Sequence, residues 1–360
     1  MPIGVKTMHI KSILTAAATA AVLSLTVAGC GKPPEATGAR KEVSFSVLAF
    51  EKSQNLDKMM QPIFTDMEKQ TGLTIKPFYA SNYPALIEAM RFNQTQAGFF
   101  SSASGLKAVT RGSGEVFAHT TNPDGTDGYE SVIIVRADSK VTLDDVLRCD
   151  HKLNFGIGDV DSSSGTIAPK AYLFLPHGID TDKCFRNIRA GSHQANVEGV
   201  IAGVVDAATA NSDTIKELGD TPDGQKKLAQ IKVIWQSDPL PKGVMEYRSD
   251  LDPVTKEKLR SFFLSYGQGT GPEAERQRAN LKVMQWGVLQ PADVSYLLPE
   301  RVMEAKVAVA EARNKGDAAA LATAQTELDA ALKDQAAVTA KTAPQAAADA
   351  PAQSSASGSR

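Results

Sequence analysis

The chain has 360 residues, 42% hydrophobic and 22% charged, the balance of an ordinary globular protein with room for one large domain or two medium ones. A formal net charge of -2 gives no reason to expect nucleic acid or an anionic membrane face as a partner.

The chain opens with a basic stretch carrying Lys6 and Lys11, then a mostly apolar run from Ile13 to Val27. That run is shorter than the roughly 20 residues of a spanning helix. Val27-Ala28-Gly29-Cys30 follows. Small residues before a cleavage point, with cysteine first in the mature chain, predict a lipoprotein signal peptide over residues 1–29 and a lipid anchor on Cys30. A plain signal peptide with an incidental cysteine is the alternative. Residues 30–42, with Gly31, Pro33, Pro34 and Gly38, read as a flexible tether.

Strands and helices then alternate. Val43 to Phe50 reads as a strand. Asn55 to Gln70 carries Leu56, Met59, Met60, Ile63, Phe64 and Met67 at helical spacing, with Gly72 as a stop. Leu73 to Tyr79 is a second strand. Asn82 caps a helix to Phe92, with Pro84 in its first turn. Phe99 and Phe100 close a short strand and are read as core ahead of cleft wall. Glu115 to Thr120 and Ser131 to Val135 are further strands. A second set follows: strand Leu153 to Gly158, helix Ser164 to Leu175, strand Phe185 to Arg189, helix Asn196 to Val205, and strands at Ala207 and Ile231. Pro239-Leu240-Pro241 breaks the pattern, and Asp252 to Tyr266 is again helical. Repeated β-α-β units predict an α/β protein with two lobes and a ligand cleft between them. Lobe 1 is expected over residues 43–137 and 238–298, and lobe 2 over 138–237.

The C-terminal part differs. Residues 299–335 are Ala-rich and charged, and predict helices broken near Gly316, with a sparse stripe of Val302, Val309, Leu321, Leu328 and Leu332. The stripe docks on the body or on a second copy, giving a homodimer, or stays solvated. Residues 336–360, rich in Ala, Pro, Gln and Ser, are expected to be disordered. Of the three cysteines, Cys149 and Cys184 remain after Cys30. In an exported chain they suggest one disulfide, each lying just before a predicted strand; two separate thiols are the alternative. Two thiols make no four-ligand zinc site, and the five histidines show no ligand spacing, so neither metal nor cofactor is expected. His119, His151 and His177 are read as structural.

The chemistry concentrates in Asn154-Phe155-Gly156-Ile157-Gly158-Asp159-Val160-Asp161-Ser162-Ser163-Ser164-Gly165-Thr166. A strand feeds a serine-rich loop and then a helix start, whose free N–H groups and dipole favour an anion. A plain N-cap followed by loop is the alternative.

Together with Phe64-Thr65-Asp66-Met67-Glu68-Lys69, Ala89-Met90-Arg91-Phe92-Asn93, Asp127-Gly128-Tyr129-Glu130-Ser131-Val132 and Val233-Ile234-Trp235-Gln236-Ser237, the chain from about Val43 to Leu298 resembles the phosphonate- and phosphite-binding proteins of ABC importers. The resemblance implies a periplasmic-binding-protein fold of type II. It implies a phosphonate, phosphite or similar small anion as ligand, and an ABC permease of the inner membrane as partner. It assigns the phosphoryl oxygens to Ser162, Ser163 and Ser164. Tyr83 and Tyr129 match two tyrosines of the family site. His193 matches a histidine, with Ser192 as one extra residue before it, and Asp213 matches an acid that is Glu in aminophosphonate binders. On residue type alone, such tyrosines suit packing and such a histidine suits a satisfied polar position. The aspartate that pairs with a ligand amine in aminophosphonate binders has no counterpart in Pro239-Leu240-Pro241-Lys242-Gly243-Val244. Aminoethylphosphonate is therefore disfavoured. Hinge closure follows from contacts made by both lobes.

An enzyme would need a nucleophile or a metal, and the sequence has no Gly-x-Ser-x-Gly elbow, His-Glu-x-x-His or Walker A pattern. Binding of a different small anion such as phosphate, and a non-transport envelope lipoprotein, are the alternatives.

Overall fold

The computed structural model describes residues 40–48 and 53–348. The expected signal peptide, Cys30, most of the tether and residues 349–360 lie outside the described residues. The strands are β1 Glu42–Leu48, β2 Thr74–Ala80, β3 Ala97–Phe100, β4 Gly114–His119, β5 Ser131–Arg136, β6 Asn154–Ile157, β7 Asn187–Ala190, β8 Ala207–Asn211, β9 Ile231–Gln236, β10 Val244–Arg248 and β11 Gln290–Pro291.

They form a six-stranded sheet ordered β11-β4-β10-β3-β1-β2 and a five-stranded sheet ordered β7-β6-β8-β5-β9. The two sheets share one plan. β1 pairs in parallel with β2 and β3, and β6 with β7 and β8. β10 runs antiparallel between β3 and β4, and β5 antiparallel between β8 and β9. In each sheet the interior antiparallel strand, β10 or β5, is the one that has just arrived from the other lobe.

Each lobe has its own core. Helix Ser53–Thr71 lays Leu56, Met60, Ile63, Phe64 and Met67 on the first sheet, the spacing of one helical face. Phe45 of β1 packs against Phe64 and Phe263, both at 5.6 Å between ring centroids. Burying each such ring contributes about 1.5–3 kcal/mol. In the second lobe Phe155 stacks on Phe185 at 4.4 Å and meets Phe174 edge-on at 5.7 Å. β6 and β7 are parallel neighbours, and the loops entering them are joined by the Cys149–Cys184 disulfide, with Cα atoms 4.5 Å apart.

The chain crosses between lobes twice, from β4 to β5 and from β9 to β10. The two crossings pair where Tyr129 donates its N–H to Leu240 (3.2 Å) and Leu240 donates to Tyr129 (2.7 Å). This is the hinge. The expected boundary at residue 137 is corrected by these pairings. Ser131–Arg136 is an interior strand of the second sheet, so the crossing comes before it. An apolar run buried on both faces, as in Val132–Val135, suits the centre of either sheet and does not say which.

Helix Leu298–Lys315 ends at Gly316, whose φ of 68° closes the helix in the left-handed region. Helix Ala318–Ala348 follows and folds back, with Arg301 bonded to Asp334 (2.8 Å) and paired with Glu327 (3.3 Å). The tail expected to be disordered from residue 336 is thus helical to Ala348. Alanine's helix propensity outweighs the low apolar content. Val302 and Val309 are buried, while Leu332 is 44% exposed.

Candidate functional site

Two helix starts meet across the cleft. In lobe 1, β3 feeds helix Ser102–Gly112, and Ser101 Oγ accepts the Ser104 N–H at 3.2 Å. In lobe 2, β6 feeds a helical run from Ser163 to His177 that contains π-turns. Pro169 lies inside that run and lacks the N–H that a regular helix would use, which accounts for the wider turns. Ser162 Oγ caps its start by accepting the Gly165 N–H at 3.0 Å. Gly158 and Gly165 approach so closely that a Cβ on Gly158 would stand 2.6 Å from Gly165 Cα. Any larger residue there would push the serine loop off the strand. Ser163 Oγ accepts the Ala103 N–H at 2.8 Å and bonds Ser102 Oγ at 2.9 Å, so the lobes are closed on one another. Ion pair Lys107–Asp161 adds to that contact.

Beside these helix starts is a cavity of about 230 Å³ with walls from both lobes and the hinge. Tyr83, Ser101, Phe99, Thr120 and Trp286 come from lobe 1, His193, Asn211 and Asp213 from lobe 2, and Tyr129 and Lys242 from the crossings. The volume is below that of drug-sized pockets and suits a small solute. A wider groove of about 810 Å³ lies under the C-terminal helix near Gln335 and Arg260. None of the residues expected from sequence to bind ligand lines it.

Ser164 anchors the polar side of the cavity. Its Oγ is 3.3 Å from His193 Nε2 and accepts from Asn211 Nδ2 at 3.4 Å. Ser131 Oγ donates to the Ser164 carbonyl at 2.6 Å, fixing the loop. Burial pushes the Tyr129 hydroxyl well above its ordinary range, against a hydrogen bond with Ser164. Burial also pulls His193 down to about 4, with Asp213 opposing it. The imidazole is therefore neutral near pH 7, and its buried Nδ1 has no hydrogen-bond partner among the described residues. Next to this group Lys242 Nζ donates to Asp213 Oδ2 (2.6 Å) and to Asn122 Oδ1 (3.0 Å), and lies 5.4 Å from the Tyr129 ring centre.

Of the residues expected from sequence, Tyr83, Tyr129, His193 and Asp213 line this cavity, and Ser164 meets His193 at its edge. Ser162 and Ser163 are 2% and 1% exposed, with hydroxyls turned to Gly165 and to Ser102 and Ala103. Phe99, read as core, is a cavity wall, while Phe100 is fully buried. Sequence reasoning missed Ser101, Asn211, Lys242 and Trp286. Ser101-Ser102-Ala103-Ser104-Gly105 follows β3 as Ser162-Ser163-Ser164-Gly165 follows β6, a repeated signal that points to the lobe 1 helix start. Among the described residues no group of three His, Cys, Asp or Glu is placed to hold a metal.

The profile of the family described as "ABC transporter, phosphonate, periplasmic substrate-binding protein" matches residues 45–297. The chain is 34% identical over 270 residues to the phosphonates-binding periplasmic protein of Escherichia coli K12, covering 75% of this chain and 78% of that one. It is 26% identical over 306 residues to the phosphate-import protein PhnD of Mycolicibacterium smegmatis, covering 79% and 92%. The crystal structure of a binding component of an ABC phosphonate transporter from Pseudomonas aeruginosa superposes with a TM-score of 0.75 at 32% identity, over 85% of this chain and 99% of that one. The doubly crossed two-lobed fold, the interlobe cavity and these matches agree: the chain belongs to the phosphonate periplasmic substrate-binding proteins of ABC transporters, which bind solutes outside the cytoplasm and are not enzymes.

Proposed function

We propose that the interlobe cavity holds a phosphonate or closely related phosphorus oxyanion and that hinge closure around it presents the protein to its membrane permease. The observation that carries this reading is the convergence of Ser164, neutral His193, Tyr83 and Tyr129 beside two apposed helix starts in a cavity of about 230 Å³. Neutral donors and helix N-termini hold a tetrahedral oxyanion without burying a full countercharge. Ser162 and Ser163 shape the loop, and their backbone sits at the helix start. Asp213 and Lys242 supply a charged pair in the cavity wall. Closure is favoured because only the closed state gives the ligand both sets of contacts. Phosphate is a second reading, since one relative carries that name.

The test is thermal unfolding of the full-length protein in detergent with phosphite, methylphosphonate, ethylphosphonate, phosphate and sulfate. A ligand at 100 times its dissociation constant adds about 2.7 kcal/mol to stability. A shift with one phosphorus oxyanion and none with sulfate supports the reading; no shift with any of them sinks it.

Cys30 is proposed as the lipid anchor, and Cys30→Ser is expected to move the protein from the membrane to the soluble fraction. Retention in the membrane would refute the anchor. The C-terminal hairpin is proposed as the contact for a second copy, supported by the exposed Leu332; a monomeric mass by light scattering at high protein concentration would remove that proposal.

A further inference from the structure

We propose that Lys242 sets the ligand class of this cavity. Its side chain, locked to Asp213, fills the place that a cationic substituent of the ligand would need, so the cavity selects phosphorus oxyanions whose remaining substituent is short and uncharged. This assignment rests on the phosphonate reading above.

Lys242 is 3% exposed, yet it lines the cavity. Three contacts fix it: Asp213 Oδ2 at 2.6 Å, Asn122 Oδ1 at 3.0 Å and the face of Tyr129. Its backbone is held as well, since the Lys242 N–H donates to the Tyr296 hydroxyl at 2.9 Å, which in turn donates to Asp127 at 2.9 Å. Asp213 belongs to the first turn of helix Ser212–Gly219 in lobe 2, whereas Lys242 belongs to the hinge crossing. The pair therefore ties a moving lobe to the hinge in the closed state. A ligand ammonium reaching for Asp213 would leave Lys242 buried without its carboxylate, or place two cations side by side, and either is costly in a closed site. Glu217, the other acid of the wall, already has an interaction partner.

The rest of the wall agrees. Leu48, Leu86, Met284, Phe99 and Trp286 give the cavity an apolar side, with the Phe99 and Trp286 rings 4.5 Å apart between centroids. A methyl or ethyl group loses no hydrogen bonds against that surface, while an ammonium loses all of its water.

Calorimetric titration of the full-length protein with methylphosphonate, ethylphosphonate and 2-aminoethylphosphonate tests this. The last two differ by a terminal amine. Wild type is expected to bind ethylphosphonate at least about 100-fold more tightly than 2-aminoethylphosphonate. Lys242→Met leaves Asp213 facing the cavity alone and is expected to shrink that ratio at least about 10-fold. Lys242→Met combined with Asp213→Asn removes both charges and is expected to restore the preference for the uncharged tail, which a merely structural role for Lys242 would not do. Equal wild-type affinities for the two ligands would overturn the proposal, as would a Lys242→Met variant that weakens both equally. Should Lys242→Met not fold, the wild-type ratio and the double variant decide. Wild type binding none of the three compounds would overturn the phosphonate reading itself, and this assignment with it.

Discussion

Glu300 is fully buried at the point where three parts of the chain meet. It lies on helix Leu298–Lys315, its Oε2 accepts from Ser102 Oγ of lobe 1 at 2.7 Å, and Ser102 in turn bonds Ser163 of lobe 2. Burial raises its pKa to about 7, with the Ser102 bond opposing and Glu304 adding to the rise; Lys107 and Asp161 stand on the facing elements. A carboxyl whose folded value lies above its unfolded one stabilises the fold fully below the unfolded value. That contribution is lost as pH climbs through the folded value. Going from 4.5 to about 7 corresponds to a loss on the order of 3 kcal/mol, complete a little above pH 7. Glu300→Gln keeps the shape and removes the titration. Urea denaturation of both proteins between pH 5 and pH 8 should show the wild type losing roughly 2–3 kcal/mol more than the variant. Glu246 and Asp159 are raised in the same direction and titrate alike in both proteins, so the difference reports Glu300 together with its coupling to Glu304. Parallel pH profiles would refute the reasoning.

Three further outcomes follow from the site and the cores. Ser164→Ala should weaken phosphonate binding by about 1–3 kcal/mol in calorimetry, the cost of leaving a charged oxygen short of a donor; unchanged affinity would displace the site from this loop. Burial holds His193 neutral near pH 7, and a bound anion raises its pKa, so binding near pH 6 should take up a fraction of a proton. The binding enthalpy would then vary with the ionisation enthalpy of the buffer, and an enthalpy independent of buffer, or a variation that survives in His193→Asn, would refute this. Replacing both Cys149 and Cys184 with serine should cost about 2–4 kcal/mol in chemical denaturation, and a wild type whose midpoint ignores reductant would count against that bond.

Much of the fold was legible because its elements carry local signatures. Leu56, Met60, Ile63 and Phe64 announce a helix, and the apolar run at Val132–Val135 announces a strand. Assigning that strand to a sheet needs pairing partners distant in sequence, so a boundary read at residue 137 sets it on the wrong side of the crossing. The serine loop after β6 was visible because three adjacent serines before a glycine are unusual. Its twin after β3 is diluted by Ala103 and was passed over. Lys242 was visible as a residue but not as a wall, because its role depends on Asp213 and Asn122, which lie 29 and 120 positions away. Ser163 shows the opposite failure. Sequence pattern points it at a ligand, while the closed lobes turn its hydroxyl to Ser102.

Helix Leu298–Lys315 touches both lobes: Glu300 and Glu304 reach Ser102 and Lys107, Glu311 pairs with Lys170 at 3.4 Å, and Lys306 covers the Tyr172 ring. Met303 and Val307 pack into a cluster with Ala103 on one side and Ile167 and Ala171 on the other. Opening the cleft therefore has to peel this helix from one lobe. The family match stops at residue 297, one position before the helix begins. This helix therefore bears on the closed contact from outside the cavity, without lining it.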